Sequence, residues 1–160
     1  MPAISLRAAL AGAALAVGAT LFAALASEWW GGLVPCALCL VGRWPYWVAI
    51  GLALLGLVGP RGLAMLSAAG VVAAMLASAA IGVVHVGVEA EWWPSPLQGC
   101  VARFTPGGDL PARPAKPCDD PAYFFAALPV SMAAMSLMFS LGSAAALGAV
   151  LYRTTRTRPS

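Results

Sequence analysis

Charge is scarce in this sequence: nine basic and six acidic residues in 160, or 9% of the chain, with a single histidine. A soluble domain carries about 25% charged residues. Too few are present to cover a water-facing surface of this size, which excludes a soluble enzyme. Disorder is excluded by the opposite property, since 61% of the residues are hydrophobic and chains that stay unfolded are poor in them. A net charge of +3, spread along the chain, is too small for a nucleic-acid surface, and no nucleic-acid partner is expected. No repeat of solenoid type is present. Acid is missing altogether from the short segments around Arg7, Arg61, Arg153, Arg156 and Arg158. What the chain does have is uncharged runs, over residues 8–27, 44–60, 62–88 and 121–152.

A helix of about 20 apolar residues crosses about 30 Å of hydrocarbon. Backbone polar groups cannot stay unpaired in lipid, so these runs are predicted to be helical. The expected fold is an all-α integral membrane protein, one four-transmembrane-helix domain over residues 1–160. Its spans fall at about 8–27, 44–60, 65–88 and 129–152, with Pro129 opening the fourth helix. A tight turn at Gly59-Pro60-Arg61-Gly62 joins the second and third spans. Ala24-Leu25-Ala26 before Ser27 looks like a signal-peptidase site, but the apolar stretch exceeds the usual length of about 7–15 residues and reads as a span.

The five acid-free arginines mark the cytoplasmic side. Both termini are then inside, and loops 28–43 and 89–120 face outward with all six acids, Arg43, Arg103, Arg113 and Lys116. Trp29, Trp30, Trp44, Trp47, Trp92 and Trp93 cluster at the same outer boundary, as an aromatic belt does. Small residues recur every four positions at Gly70, Ala74, Ser78 and Gly82, and at Gly12, Ala16, Thr20 and Ala24. Both ridges are expected to let helices approach closely.

All four cysteines fall in the outward loops, where disulfides persist. Cys36-Ala37-Leu38-Cys39 is a C-x-x-C preceded by Pro35. At a helix start its first thiolate lies near unpaired backbone N–H groups, which favour the reactive form. On a continuous helix Arg43 shares a face with Cys36 and Cys39, where a guanidinium can stabilise a thiolate or a reduced anionic cofactor. Pro45 disfavours helical geometry at Trp44, which works against that continuity.

Cys100 and Cys118 bracket Pro106, Gly107-Gly108, Pro111, Pro114 and Pro117. An irregular, mobile loop is expected there, its disulfide accessible to a large partner. Zinc held by all four cysteines is one alternative, but structural zinc pairs closely spaced knuckles and no metal site is expected. Purely structural disulfides are another, although a C-x-x-C bridge closes too small a loop to stabilise much. His85 falls on the packed side of the third span, either bonded to a neighbouring helix or touching a cofactor. Glu89 and Glu91 are expected to be solvated interfacial charges. The basic tail Arg153–Arg158 is expected to contact lipid headgroups of the bilayer.

Pro35-Cys36-Ala37-Leu38-Cys39 with Arg43, then Trp93-Pro94-Ser95-Pro96 before Cys100, and Cys118 beyond, resemble the disulfide bond formation protein B (DsbB) family. Its members are thiol oxidoreductases of the bacterial inner membrane. The vitamin K epoxide reductase family does related chemistry but places its loop cysteines before the C-x-x-C. The resemblance implies that a reduced, DsbA-like periplasmic thioredoxin-fold oxidase attacks a Cys100–Cys118 disulfide, forming a mixed disulfide at Cys100. Cys118 then exchanges with the first pair through a Cys36–Cys118 bridge. Cys39 is left as the thiolate against a quinone (ubiquinone or menaquinone) drawn from the membrane pool, with Arg43 and His85 contacting its oxygens. The short, proline-rich spacing between Cys100 and Cys118 departs from the family pattern and leaves the partner-docking surface open. Two other classes stay in view: a related membrane dithiol enzyme working in the reducing direction or for a dedicated partner, and a non-enzymatic membrane subunit whose disulfides brace its loops.

Overall fold

A computed structural model of the chain describes residues 5–97, 100, 116–123 and 130–156. Five helices appear among them: α1 (Leu6–Trp29), α2 (Ala37–Gly42), α3 (Trp44–Val58), α4 (Arg61–Glu89) and α5 (Met132–Arg156). The only other regular pairing among the described residues is an isolated antiparallel bridge between Tyr123 and Ser131. By length and composition, α1, α4, α5 and the segment Ala37–Val58 are each long and apolar enough to cross a membrane. The protein is an all-α bundle with four such spans. The expected helix start at Pro129 lies outside the described residues, as do Arg103, Arg113 and Arg158.

The ends of these helices follow from their sequence. Ser5 caps α1, its hydroxyl accepting the Ala8 N–H at 3.1 Å, which satisfies one of the unpaired amides of a first turn. Pro60 precedes α4 in extended conformation, so the expected four-residue turn shrinks to Gly59-Pro60 and α4 begins at Arg61 rather than near residue 65. Arg7 reaches this turn and donates to the Gly59 carbonyl at 2.9 Å. That contact sets the start of α1 beside the start of α4. Arg153 and Arg156 lie in the last turn of α5, where cations complement the helix dipole.

The second span departs from its expected boundary. Helical structure begins at Ala37, and Cys39 therefore lies within the apolar segment Ala37–Val58 instead of in a loop. The charge of Arg43 set the expected boundary, but the helical path runs through Arg43, and Pro45 does not interrupt it. This proline occupies the first turn of α3, where a missing N–H costs no helical hydrogen bond. Arg43, with φ −80° and ψ −25°, closes α2 and opens α3 without leaving helical geometry.

α4 is the central helix, packed against both α3 and α5, while α1 packs chiefly on α3. Its small-residue ridge does face the bundle. Ser78 and Gly82 are buried, and a Cβ added at Gly82 would meet Leu137 of α5 at 3.1 Å. The corresponding ridge on α1 does so only in part. Gly12 and Ala16 are exposed, whereas Thr20 and Ala24 are half-buried and line a cavity between the helices. α1 buries chiefly Leu6, Leu10, Val17 and Leu21, so larger apolar side chains fill much of that interface. All six tryptophans remain largely exposed, from 40% at Trp93 to 75% at Trp30.

Candidate functional site

Cys36 is the N-cap of α2. Its Sγ accepts the Cys39 backbone N–H at 3.3 Å, because the extended residue after Pro35 turns its side chain back over the first helical turn. The Cys39 sulfur lies 3.0 Å from Cys36 Sγ, and both are free thiols. From α4, His85 brings Nε2 to 3.5 Å from Cys36 Sγ. The Cys39 side chain first, and then hydrogen bonds with His85 and the Cys39 N–H, hold the Cys36 thiol far below its usual range, at about 4, against the opposing effect of burial. A thiolate is the nucleophile in disulfide exchange, so Cys36 is set to react at neutral pH.

The surroundings of Cys36 and Cys39 overlap in part. Cys36 packs in one apolar cluster with Leu38, Val88 and the disulfide-bonded Cys100 and Cys118, and Cys39 lies against the same cluster. Cys39 also lines a cavity of about 510 Å³, together with Arg43, His85, Tyr46 and the apolar Leu21, Leu38, Ile81 and Phe139. Of the three residues expected to share a face, Cys39 and Arg43 thus line the cavity, whereas Cys36, a cap with extended backbone, does not.

Three polar partners at the site were not legible as such in the sequence. Glu28 of α1 pairs with the Arg43 guanidinium, and both side chains are largely buried, at 18% and 16% exposure. Glu89, expected to be solvated, has a side chain only 9% exposed and accepts a 2.5 Å hydrogen bond from the Ser131 hydroxyl. One turn of α4 from His85, its Oε1 stands 3.9 Å from Nε2. Glu91 does remain exposed, at φ 57°. Tyr46 closes the deeper part of the cavity, its hydroxyl 3.0 Å from Ser136 and 3.2 Å from Ser140. Ser140 in turn donates to Ser78 at 2.9 Å. Ser136 and Ser140, four residues apart on α5, and the tyrosine after Pro45 were the available signals.

The Cys100–Cys118 disulfide is less open than its loop suggested. Cys100 is 5% and Cys118 1% exposed, because the chain after α4 folds back over the helix end. Trp93 donates its indole N–H to the Val84 carbonyl at 3.1 Å, and its ring lies against Gly87, where an added Cβ would stand 1.9 Å from Cζ2. Only glycine permits that approach. Access to the disulfide runs through a second cavity of about 470 Å³ lined by Trp93, Pro94, Ser95, Pro117 and Asp119. Prolines 106, 111 and 114 and Gly107-Gly108 lie outside the described residues.

The arrangement thus joins a buried disulfide, a dithiol and an apolar cavity in that order. Neither the curated proteins nor the solved structures include a match to the chain. A family model described as disulfide bond formation protein DsbB matches residues 6–150. With nearly the whole chain and all four cysteines inside that match, the protein belongs to the DsbB family.

Proposed function

We propose that this chain is a membrane thiol:quinone oxidoreductase that reoxidises a reduced thioredoxin-fold, DsbA-like oxidase on the outer face of a bacterial inner membrane, both its own termini being cytoplasmic. The observation that carries the reading is the place of the C-x-x-C between two features: Cys36 is buried in one cluster with the Cys100–Cys118 disulfide, and Cys39 lines the cavity with Arg43 and His85. The arginines at one end of the bundle, joined there by the Arg7–Gly59 contact, support the sidedness.

The partner's thiolate attacks Cys100 through the cavity beside Trp93, breaking the Cys100–Cys118 bond and releasing Cys118 as thiolate. The partner's second thiol resolves the mixed disulfide, leaving the partner oxidised and Cys100 reduced. Cys118 then attacks Cys36 of the oxidised first pair, Cys39 departs as thiolate, and Cys100 restores the second disulfide. Two electrons have now moved to Cys36 and Cys39, the distribution of thiols and disulfide described above. Exchange of this kind needs a good leaving thiolate, and the contacts of Cys36 favour its return to that form.

The cavity suits a quinone. Its volume is within the roughly 300–1,000 Å³ of small-molecule sites, and its apolar walls carry a few convergent polar groups. A bound quinone supplies a two-electron acceptor next to Cys39. Arg43 would hold a quinone oxygen by charge-assisted hydrogen bonding, His85 would meet the ring from α4, and the apolar walls exclude water from the thiolate.

The test is quinone reduction by the purified chain with a reduced periplasmic dithiol protein as donor. Turnover is expected with ubiquinone or menaquinone and should disappear on replacing Cys36, Cys39, Cys100 or Cys118. Normal turnover by Cys39→Ala or Cys100→Ala would refute the relay.

A further inference from the structure

The spacing of the four cysteines gives no metal site by itself. The structure supplies a different third donor. His85 of α4 brings Nε2 to 3.5 Å from Cys36 Sγ, and the two sulfurs and this nitrogen all lie within 4.8 Å of one another. Cys36 and His85 are buried, at 4% and 7% exposure, and Cys39 is half-buried at the wall of the cavity, so the three donors converge in a site closed on two sides and open toward the cavity.

We propose that the reduced Cys36/Cys39 pair and His85 form a site for a thiophilic divalent cation, Zn²⁺ or Cd²⁺, which exists only while the pair is reduced. Zinc bonds of about 2.3 Å to sulfur and 2.0–2.1 Å to nitrogen imply tetrahedral edges of about 3.5–3.8 Å. The Cys36–His85 separation already has that value, and the 3.0 Å between sulfurs has to open by less than about 1 Å. Two thiolates and an imidazole are the donors this class of metal prefers. The imidazole binds through Nε2 in its neutral form, with its proton on Nδ1.

Coordination displaces the remaining thiol protons and leaves both sulfurs reduced. Three protein donors leave a fourth position for water, as in open zinc sites. Oxidation to the Cys36–Cys39 disulfide removes two donors at once, so occupancy depends on the redox state. If the proposed relay holds, a bound cation traps the reduced pair beside the cavity and stalls turnover. The site itself stands on geometry alone and does not need that reading.

The experiment titrates Co²⁺, a spectroscopic stand-in for Zn²⁺, into the full-length chain in detergent after phosphine reduction under anaerobic conditions. Thiolate-to-cobalt charge-transfer absorption with a stoichiometry of one, displaced by Zn²⁺, is expected. The Cys100→Ser/Cys118→Ser variant should bind equally well, which separates this site from the second pair. His85→Ala should weaken binding at least about tenfold, and the oxidised chain should show no band. Absence of the band in the reduced chain, its loss in Cys100→Ser/Cys118→Ser, or an undiminished band in Cys36→Ser/Cys39→Ser would each overturn the proposal. Quinone turnover measured on the same preparation is a separate readout. A chain that binds cobalt but reduces no quinone would refute the relay and leave the site standing.

Discussion

Cys36 Sγ and His85 Nε2 meet at 3.5 Å across 49 residues of sequence, and the contact fixes the start of α2 against the C-terminal end of α4. Two groups thereby stabilise one thiolate: the neighbouring Cys39 more strongly, His85 less. The order of these effects leads to a quantitative expectation.

Alkylation of Cys36, followed site by site with mass spectrometry, should report its thiolate fraction. With the thiol held at about 4, the rate should be flat above about pH 5 and fall only below the lowered value, since protonation removes the nucleophile. Cys39→Ala removes the largest cause, so the rise should move to higher pH and the rate at about pH 6 should drop tenfold or more. His85→Ala should move it in the same direction by less. A larger shift for His85→Ala than for Cys39→Ala would contradict the assigned order.

Glu28 and Arg43 form a largely buried ion pair between α1 and the α2–α3 junction, at the wall of the cavity. Losing one member strands the other charge away from water. Glu28→Gln is expected to lower stability by about 1–3 kcal/mol, less than for a fully buried pair because water still reaches both groups. A double-mutant cycle with Arg43→Gln should return a coupling of about 1 kcal/mol or more. Detergent unfolding followed by helical circular dichroism provides the measurement, and additive single effects would show the contact to be incidental.

The bundle was legible because its signals are local. Runs without charge match the four helices long and apolar enough to cross a membrane, a signal each segment carries by itself. The junction at Arg43 was not, because a proline reads as a break unless its place within the helix is known, and Pro45 falls in a first turn. The C-x-x-C, Cys100 and Cys118 could be singled out by type and spacing. Their arrangement beside the cavity could not, since it depends on Cys36 being a cap and on α4 delivering His85. Glu89 shows the same limit: a carboxylate near a helix end reads as solvated until the Ser131 hydroxyl is found on it. The Gly12 ridge held only at Thr20 and Ala24, since small residues at a helical period fit an exposed side as well as a packed one.

Gly87 is the position that lets Trp93 fold back over α4. Gly87→Ala should displace the indole and, with it, the segment leading to Cys100. Transfer between the two cysteine pairs, followed by quenched thiol trapping, is expected to slow about tenfold, as small misplacements of reacting groups do. The helix itself should gain slightly from alanine, so melting should change little. Trp93→Ala added to Gly87→Ala should not restore the rate, because the anchor to the Val84 carbonyl is then gone. Full recovery in the double variant would mean that the ring obstructs the exchange and does not position it.

Deep in the bundle, Gly56 of α3 meets Ser67 of α4 and Leu10 of α1. A Cβ added at Gly56 would stand 2.8 Å from both Ser67 Cβ and Leu10 Cδ1. The leucine end can swing aside, but Ser67 Cβ is fixed to the helix backbone. Gly56→Ala is therefore expected to cost about 1–3 kcal/mol by overpacking. Ser67 is 2% exposed and its hydroxyl has no partner among the described residues. Ser67→Ala removes that unpaired oxygen and should be neutral or stabilising by up to about 1 kcal/mol. It leaves Cβ in place, so it should not rescue Gly56→Ala, whereas Ser67→Gly should recover most of the loss. Rescue by Ser67→Ala instead would place the conflict at the hydroxyl, 3.3 Å from the added carbon, rather than at the helix crossing itself.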